Sequence, residues 1–346
     1  MSAPRRFAVL VAGFGSVGRA LARAVAMRSK YIELRHAVQL KVVGVVDSRG
    51  AAIKPEGFTD YELLKLAELP RGGVSSFQGY GRPGLNAAEA LELLSPDALA
   101  ELTPANYETG EPGLSHVLAA LRAGCHVVTS NKAPLVKAFA RIMDEARRRG
   151  LSVRYRATVM GGSPFMEALL GVRSHEVVEV RGLLNATTNY VLTLMQERRI
   201  DMGTAVRHAQ AVGVAEADPS LDLAGVDAAA KLVIISWTIG RPIGLEEVRR
   251  RSVEGLKLEE LLGALARGKV VKQVAYLNPT RGEAYVEPVE LEASDPLASI
   301  SGTTNAVKVV TDATEFFFVG KGGGGVETAH SVLDDLIAVA LGGGHG

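Results

Sequence analysis

Apolar residues run unbroken through FAVLVA (7–12), stop at GFGSVG (13–18), and then recur at helical spacing to about residue 28. A second apolar run, LKVVGVV (40–46), ends on Asp47. This order predicts a strand, a Gly-rich turn, a helix and a strand closed by an acid. Residues 48–90 read as loop-rich, with one helical patch at YELLKLAEL. The run 89–102 fits helix and strand equally. LSHVLAALRAG (114–124) has helical periodicity and a Gly stop, HVVTS (126–130) is a strand, and 134–150 is an amphipathic helix ending in RRRG. Short apolar runs alternating with amphipathic stretches predict a parallel, doubly wound sheet.

After residue 150 the pattern changes. VRYRATV reads as a strand running into GGSP, followed by a helix and the strand VVEVRGLL. Helical stretches are expected over 189–212 and 225–240. Residues 270–292 predict antiparallel strands, and AVKVVTD and TEFFFVG two more. A Gly-rich segment, GKGGGGVETA, leads into a helix through Leu341, and GGGHG reads as a loose tail.

Composition narrows the class. The 346 residues suit two domains, or three. Formal net charge is +1, which gives no global reason to expect nucleic acid or an anionic membrane as partner. The single cysteine, Cys125, excludes an intramolecular disulfide and a cysteine metal cluster, and suits a reducing cytoplasm. The N-terminal arginines and apolar run resemble the start of a signal peptide, yet the run leads directly into GFGSVG, as a first strand would. No apolar run reaches the roughly 18 residues of a membrane span, so the sequon at Asn185 is expected to stay unglycosylated. Scarce Asn and Gln point to a thermophile. A GC-rich genome would also enrich the Arg, Ala and Gly seen here.

Gly13-Phe14-Gly15-Ser16-Val17-Gly18 fits the dinucleotide fingerprint: one glycine for the turn, one for approach of the pyrophosphate, one for helix–strand packing. The helix N-terminus then supplies unpaired N–H groups and a positive dipole end. Asp47 suits ribose hydroxyls and NAD. Arg49 suits a 2′-phosphate and NADP, the preferred cofactor here, with Lys54 as a possible helper. GALARGK (263–269) has the spacing of a phosphate loop, but Val270 stands where Ser or Thr would hold a magnesium ion.

Three further segments carry chemistry. TSNKAPL puts Lys132 just past a strand, where open α/β sheets bind ligands. LNATTNYVL offers small polar side chains before a helix. GVAEADPSLDLAGVDAAAKL sets Glu216, Asp218, Asp222, Asp227 and Lys231 among apolar residues, with Asp227 and Lys231 one helical turn apart. An exposed pair at that spacing contributes only about 0.3–0.5 kcal/mol. For Asp218 the plain reading is turn chemistry before Pro219.

Together these motifs resemble homoserine dehydrogenase: a GxGxVG turn, a strand ending in an NK pair, an N-A-T-x-N turn, the run E-x-D-P…D…G-x-D-x-x-x-K, and a late Gly-rich segment followed by TA. The resemblance covers nearly the whole chain, and the acidic run is its most specific part. It implies a Rossmann-type α/β domain over 1–155, completed by about 313–346, and an α+β substrate-binding and dimerisation domain over 156–312. It implies reversible reduction of L-aspartate 4-semialdehyde to L-homoserine with NADP or NAD, by a cytoplasmic homodimer.

The resemblance also assigns roles. Lys231 and Lys132 match the functional lysines, Lys231 as proton donor and acceptor. Glu216, Asp227, Asp222 and Thr187 match substrate contacts. Thr103, Pro104 and Gly324 join the Gly-rich turn, Asp47, Arg49 and Lys132 at the cofactor. Arg156, Val159, Gly161 and Ser163 match a loop that binds a monovalent cation such as sodium through backbone carbonyls. The chain departs from the pattern at Arg156, where many relatives carry Glu, and at Lys321, where relatives carry a small residue or Pro. With the chain ending soon after the TA segment, neither a kinase nor a regulatory domain is expected, nor feedback by threonine through one.

Two rivals remain. An aldehyde-oxidising enzyme on this scaffold would need an activated Cys125. A non-catalytic NADP sensor would need only the first domain, leaving the lysines and carboxylates of the second unexplained.

Overall fold

A computed structural model describes residues 4–342, so the expected tail lies, apart from Gly342, outside the described residues. The chain divides into two compact units, Met1–Gly161 with Gly324–Gly346, and Gly162–Gly323.

The described residues of the first unit hold seven strands: β1 (Arg5–Ala12), β2 (Val38–Asp47), β3 (Gly50–Ile53), β4 (Gly81–Pro83), β5 (Ala98–Glu101), β6 (His126–Thr129) and β7 (Val153–Arg154). Their order is β4-β3-β2-β1-β5-β6-β7. From β2 to β7 neighbours run parallel, and β3 and β4 add an antiparallel edge. The six inner residues of β1 are buried, as parallel strands covered on both faces must be.

Its helices are α1 (Ser16–His36), α2 (Asp60–Glu68), α3 (Ala87–Leu94), α4 (Gly113–Arg122), α5 (Lys132–Arg149) and, from the end of the chain, α12 (Gly325–Ala340). One layer groups α1 with α2 and α12, the other α3 with α4 and α5. Val9 and Val11 pack in one core with Leu21, Val25, Leu333 and Leu336, which ties α12 to the sheet. Since β1 is flanked by β2 on one side and β5 on the other, the strand order reverses there. That is where such sheets open a crevice at their carboxyl ends.

The ambiguous run 89–102 resolves into both elements: α3, started by an Asn86–Glu89 capping box, then β5. VRYRATV, expected as a strand, pairs only over Val153–Arg154 and then turns into a 3-10 helix, Arg156–Thr158. The backbone N–H of Arg156 donates to Asp335 of α12 at 3.1 Å instead of to a strand.

The second unit contains β8 (Val177–Leu183), β9 (Arg249–Arg250), β10 (Lys269–Asn278), β11 (Glu283–Glu292), β12 (Thr304–Thr311) and β13 (Glu315–Lys321), ordered β13-β12-β8-β10-β11-β9. Its helices are α6 (Phe165–Gly171), α7 (Ala186–Arg198), α8 (Met202–Ala211), α9 (Ser220–Leu223), α10 (Val226–Thr238) and α11 (Leu258–Ala266). The stretch expected as one helix over 189–212 is broken at Arg199, which takes a left-handed conformation and starts a new helix at Met202. α7, α10 and α11 pack on β10, over a core that includes Val191, Met195, Leu261 and Val271. Among the described residues no helix is long and apolar enough to cross a membrane.

Candidate active site

The Gly-rich turn of the first unit meets its steric demands one glycine at a time. Gly13 has φ +97°, and a Cβ there would fall 2.5–2.6 Å from the backbone of Leu102 and Thr103. A Cβ on Gly18 would overlap the Gly13 carbonyl oxygen, while one on Gly15 would meet nothing within 4 Å. The turn is thus packed on one side and open at its middle glycine.

α1 begins without a side-chain cap and without an acid in its first turn, so its leading N–H groups have no intrahelical acceptor. Gly325, the first residue of α12, lies so close to Ser16 that a Cβ would overlap the serine hydroxyl. Two helix N-termini therefore converge beside Gly15, a favourable place for an anion. Glu327 in the first turn of α12 offsets part of that field.

At the end of β2, Asp47 Oδ1 accepts from the N–H of Arg49 at 2.8 Å and Oδ2 from the N–H of Val74 at 3.0 Å. Arg49 is exposed, its stem lying over Gly72. Lys54 does not serve as the helper suggested for a 2′-phosphate. It is buried, paired with Glu62 at 2.8 Å and set 5.0 Å from the Tyr80 ring centre. Burial alone would raise the Glu62 carboxyl, yet hydrogen bonds from Lys54, Thr59 and Tyr80 bring it down to about 2.

Thr103 and Pro104 come one residue after β5, half-buried and exposed respectively. Lys132 opens α5, half-buried, behind Asn131, whose Oδ1 accepts from the Ala133 N–H at 3.1 Å. Cys125 is buried, and burial, reinforced by Asp97, pushes its thiol up to about 12. Such a thiol is no nucleophile near neutral pH, which disposes of the aldehyde-oxidising rival.

The residues matched to a cation loop fit that role poorly. The Gly161 carbonyl already accepts from the Ser331 hydroxyl at 2.6 Å. Arg156 brings a guanidinium, 3.5 Å from Asp334. Val159 is buried. In the second unit, the Ser163 hydroxyl is buried with no partner among the described residues. No group of three or more His, Cys, Asp or Glu that could hold a metal occurs among the described residues.

The second unit gathers the acidic run. α10 places Asp227 in its first turn and Lys231 one turn on, with Nζ 2.8 Å from Asp227 Oδ2. The lysine also donates to the carbonyl of Leu184, just past β8. Lys231 is only 7% exposed, so this is not a solvated surface pair. Asn185 caps α7, its Oδ1 accepting from the Thr188 N–H at 2.9 Å. The same amide donates to Asp222 Oδ1 at 2.6 Å and to Asp227 Oδ2 at 3.0 Å.

Burial, followed by the charge of Asp227, raises the Asp222 carboxyl above its ordinary range, against the opposing pull of Asn185, Lys231 and Thr187. Thr187 is buried and donates to the Val214 carbonyl at 3.4 Å. Asp218 closes a turn around Pro219 by accepting from the Ser220 N–H at 3.1 Å. Glu216 stands apart and exposed. Asn185 is legible in sequence as a sequon and as the head of the N-A-T-x-N turn, but with no role at the site. Its signal was its place as the polar residue opening LNATTN, before a helix.

A Gly-rich turn at the switch point of a parallel sheet, and a buried lysine among carboxylates, define a dinucleotide-dependent oxidoreductase. The family model "Homoserine dehydrogenase, NAD binding domain" matches residues 13–156, and the model "Homoserine dehydrogenase" matches residues 164–337. A homoserine dehydrogenase of Methanocaldococcus jannaschii is 34% identical over 339 residues, covering 96% of this chain and 98% of its own. An NAD(+)-dependent homoserine dehydrogenase of Pseudomonas canavaninivorans is 33% identical, covering 96% of each. The solved structure of a hyperthermophilic archaeal homoserine dehydrogenase in complex with NADPH superposes with a TM-score of 0.83 at 28% identity, covering 98% of both chains. The chain belongs to the homoserine dehydrogenase family.

Proposed function

We infer that the chain catalyses the reversible, NAD(P)-dependent interconversion of L-aspartate 4-semialdehyde and L-homoserine, a step toward threonine, methionine and isoleucine. The observation that carries this is the buried Lys231, bonded to Asp227 and the Leu184 carbonyl and flanked by Asp222. NAD(P)H, when bound, supplies the hydride that reaches the aldehyde carbon. Lys231 gives a proton to the oxygen that becomes the hydroxyl, and takes it back in reverse. Asp227 Oδ2 and the Leu184 carbonyl both hold the lysine Nζ, which fixes where the side chain presents its proton. Asp227, Asp222 and Thr187 bind the ammonium and hydroxyl ends of the substrate, with Glu216 joining from the exposed strand of chain before α9. Lys132 acts beside the nicotinamide, with Thr103 and Pro104. The Gly-rich turn and Gly324 hold the pyrophosphate. The poor fit of the Arg156–Ser163 loop to a cation leaves the chemistry to these groups.

NADP is the cofactor we favour. Both oxygens of Asp47 already accept backbone N–H groups, and the exposed Arg49 is the nearby cation left for a 2′-phosphate. The test supplies L-homoserine with NADP⁺ or NAD⁺ at mildly alkaline pH and follows absorbance of the reduced cofactor. Turnover with NADP⁺ as the better cofactor is expected. Arg49→Ser should lower kcat/KM for NADP⁺ by about 10-fold or more, the loss of one charge-assisted contact, and leave NAD⁺ nearly unchanged. Absence of turnover with both cofactors, together with no NADP(H) released on denaturing the protein, would refute the reading.

The assembly we propose is a homodimer, and the compartment the cytoplasm. One face of the six-stranded sheet carries a continuous rung, Phe317–Lys308–Arg181–Tyr276–Tyr285, with the two tyrosines stacked at 4.9 Å. Phe317 and Val319 there are 43% and 51% exposed, large apolar groups that a second copy would cover. Phe317→Asp is expected to shift the protein to monomer in light scattering. An unchanged mass would place the interface elsewhere.

A further inference from the structure

The proposed chemistry leaves one buried acid of the first unit unused. Glu101, the last residue of β5, is 0% exposed. Its Oε1 accepts from the backbone N–H of Thr103 at 3.2 Å and from the Thr103 hydroxyl. The Thr129 hydroxyl, at the end of β6, lies 3.5 Å from Oε2 and 3.0 Å from the Glu101 carbonyl. Asn131 Nδ2 in turn donates to the Thr103 hydroxyl at 3.3 Å, and the Asn131 N–H to Thr129 at 2.9 Å. One carboxylate thus ties the turn after β5 to the turn after β6, the one that launches Lys132.

Burying a carboxylate is expensive unless it is compensated. Hydrogen bonds from the Thr103 N–H and hydroxyl compensate it in part, and a helix end does the rest. The uncapped N-terminus of α4 abuts Oε2, since a Cβ on Gly113 would stand 3.1 Å from that oxygen and 2.5 Å from Asn131 Nδ2. The residues before it, Ala98, Leu99 and Ala100, are apolar, and an apolar residue at 101 would satisfy the strand end with less desolvation. The acid sits at the one place where the carboxyl ends of β5 and β6 meet the ligand crevice.

We propose that Glu101 is a positioning residue for the reaction: through Thr103 and Asn131 it sets where the Thr103–Pro104 turn and Lys132 present themselves to the nicotinamide. This rests on the reading of Thr103 and Lys132 as cofactor contacts. Misplacing a reacting group by about 1 Å can cost about 10²-fold in rate. Glu101→Gln keeps the shape and removes the charge. It is expected to lower kcat about 10- to 100-fold while KM for homoserine stays within about twofold.

NADPH supplies a readout independent of turnover. In the variant, the nicotinamide emission of bound NADPH should move toward that of free NADPH, with Kd changed by less than about threefold because the pyrophosphate anchors remain. If Glu101 acts through Thr103, then Glu101→Gln and Thr103→Val should be non-additive in a double-mutant cycle. Should Glu101→Gln fold poorly, Thr103→Val cuts the same link from its half-exposed end and must show the same selective loss.

Wild-type turnover of homoserine tests the reading beneath the proposal, and variant-to-wild-type ratios and NADPH emission test the proposal itself. Additive effects, or Thr103→Val with kcat and emission like wild type, overturn it.

Discussion

Lys231→Arg is expected to lower kcat by about 10²- to 10⁴-fold, the usual worth of a positioned general acid–base group, without loss of the fold. Arginine keeps the positive charge beside Asp227 and can still donate to the Leu184 carbonyl. It cannot release a proton at any working pH. The variant therefore separates charge from proton transfer. Lys231→Ala should lose as much activity but is a poorer test of mechanism. It strips the buried cation from Asp227 Oδ2 at 2.8 Å, and breaking a buried pair from one side costs about 3–5 kcal/mol. Steady-state kcat with thermal unfolding of both variants decides the matter. Lys231→Arg within tenfold of wild-type kcat would remove the proton-transfer role and leave the lysine an electrostatic one.

The parts of the fold legible in sequence were those in which local pattern and tertiary fate coincide. β1, the glycine turn, α1 and β2 follow from periodicity because a buried parallel strand and an amphipathic helix each advertise themselves within a few residues. β3 and β4, of four and three residues, carry no such signal; β3 exists because β2 offers it an edge, and β4 because β3 does. The strand expected over 153–159 failed for a non-local reason: Asp335, 179 positions away, takes the Arg156 N–H.

The site divides in the same way. Asp227 and Lys231 announce their pairing by helical spacing. The bridge that Asn185 makes between Asp222 and Asp227 needs three elements, α7, α9 and α10, to be brought together first. Glu101 lies in the run that fitted helix and strand equally, and nothing in ELTPAN reveals that the acid is fully buried.

The glycine turn yields the second large effect, because two of its glycines, three residues apart, should fail in opposite ways. Gly18→Ala puts a Cβ into the Gly13 carbonyl oxygen and 3.1 Å from the Phe14 ring, and the obstacle is backbone, which cannot rotate away. A loss of about 3 kcal/mol or more is expected, visible in chemical denaturation before any cofactor is added.

Gly15→Ala meets nothing within 4 Å, and at φ −83° alanine is not strained by handedness, so stability should stay within about 0.5 kcal/mol. The open space over Gly15 is where the helix N-termini of α1 and α12 converge, and there a methyl group would push the pyrophosphate outward. Overpacking of about 1–3 kcal/mol corresponds to cofactor binding weaker by about 5- to 150-fold. Titration of NADPH by fluorescence, beside denaturation of each variant, reads both effects. If Gly15→Ala bound NADPH like the wild type, the pyrophosphate would not lie over this turn, and the open middle glycine would have to be explained by folding alone.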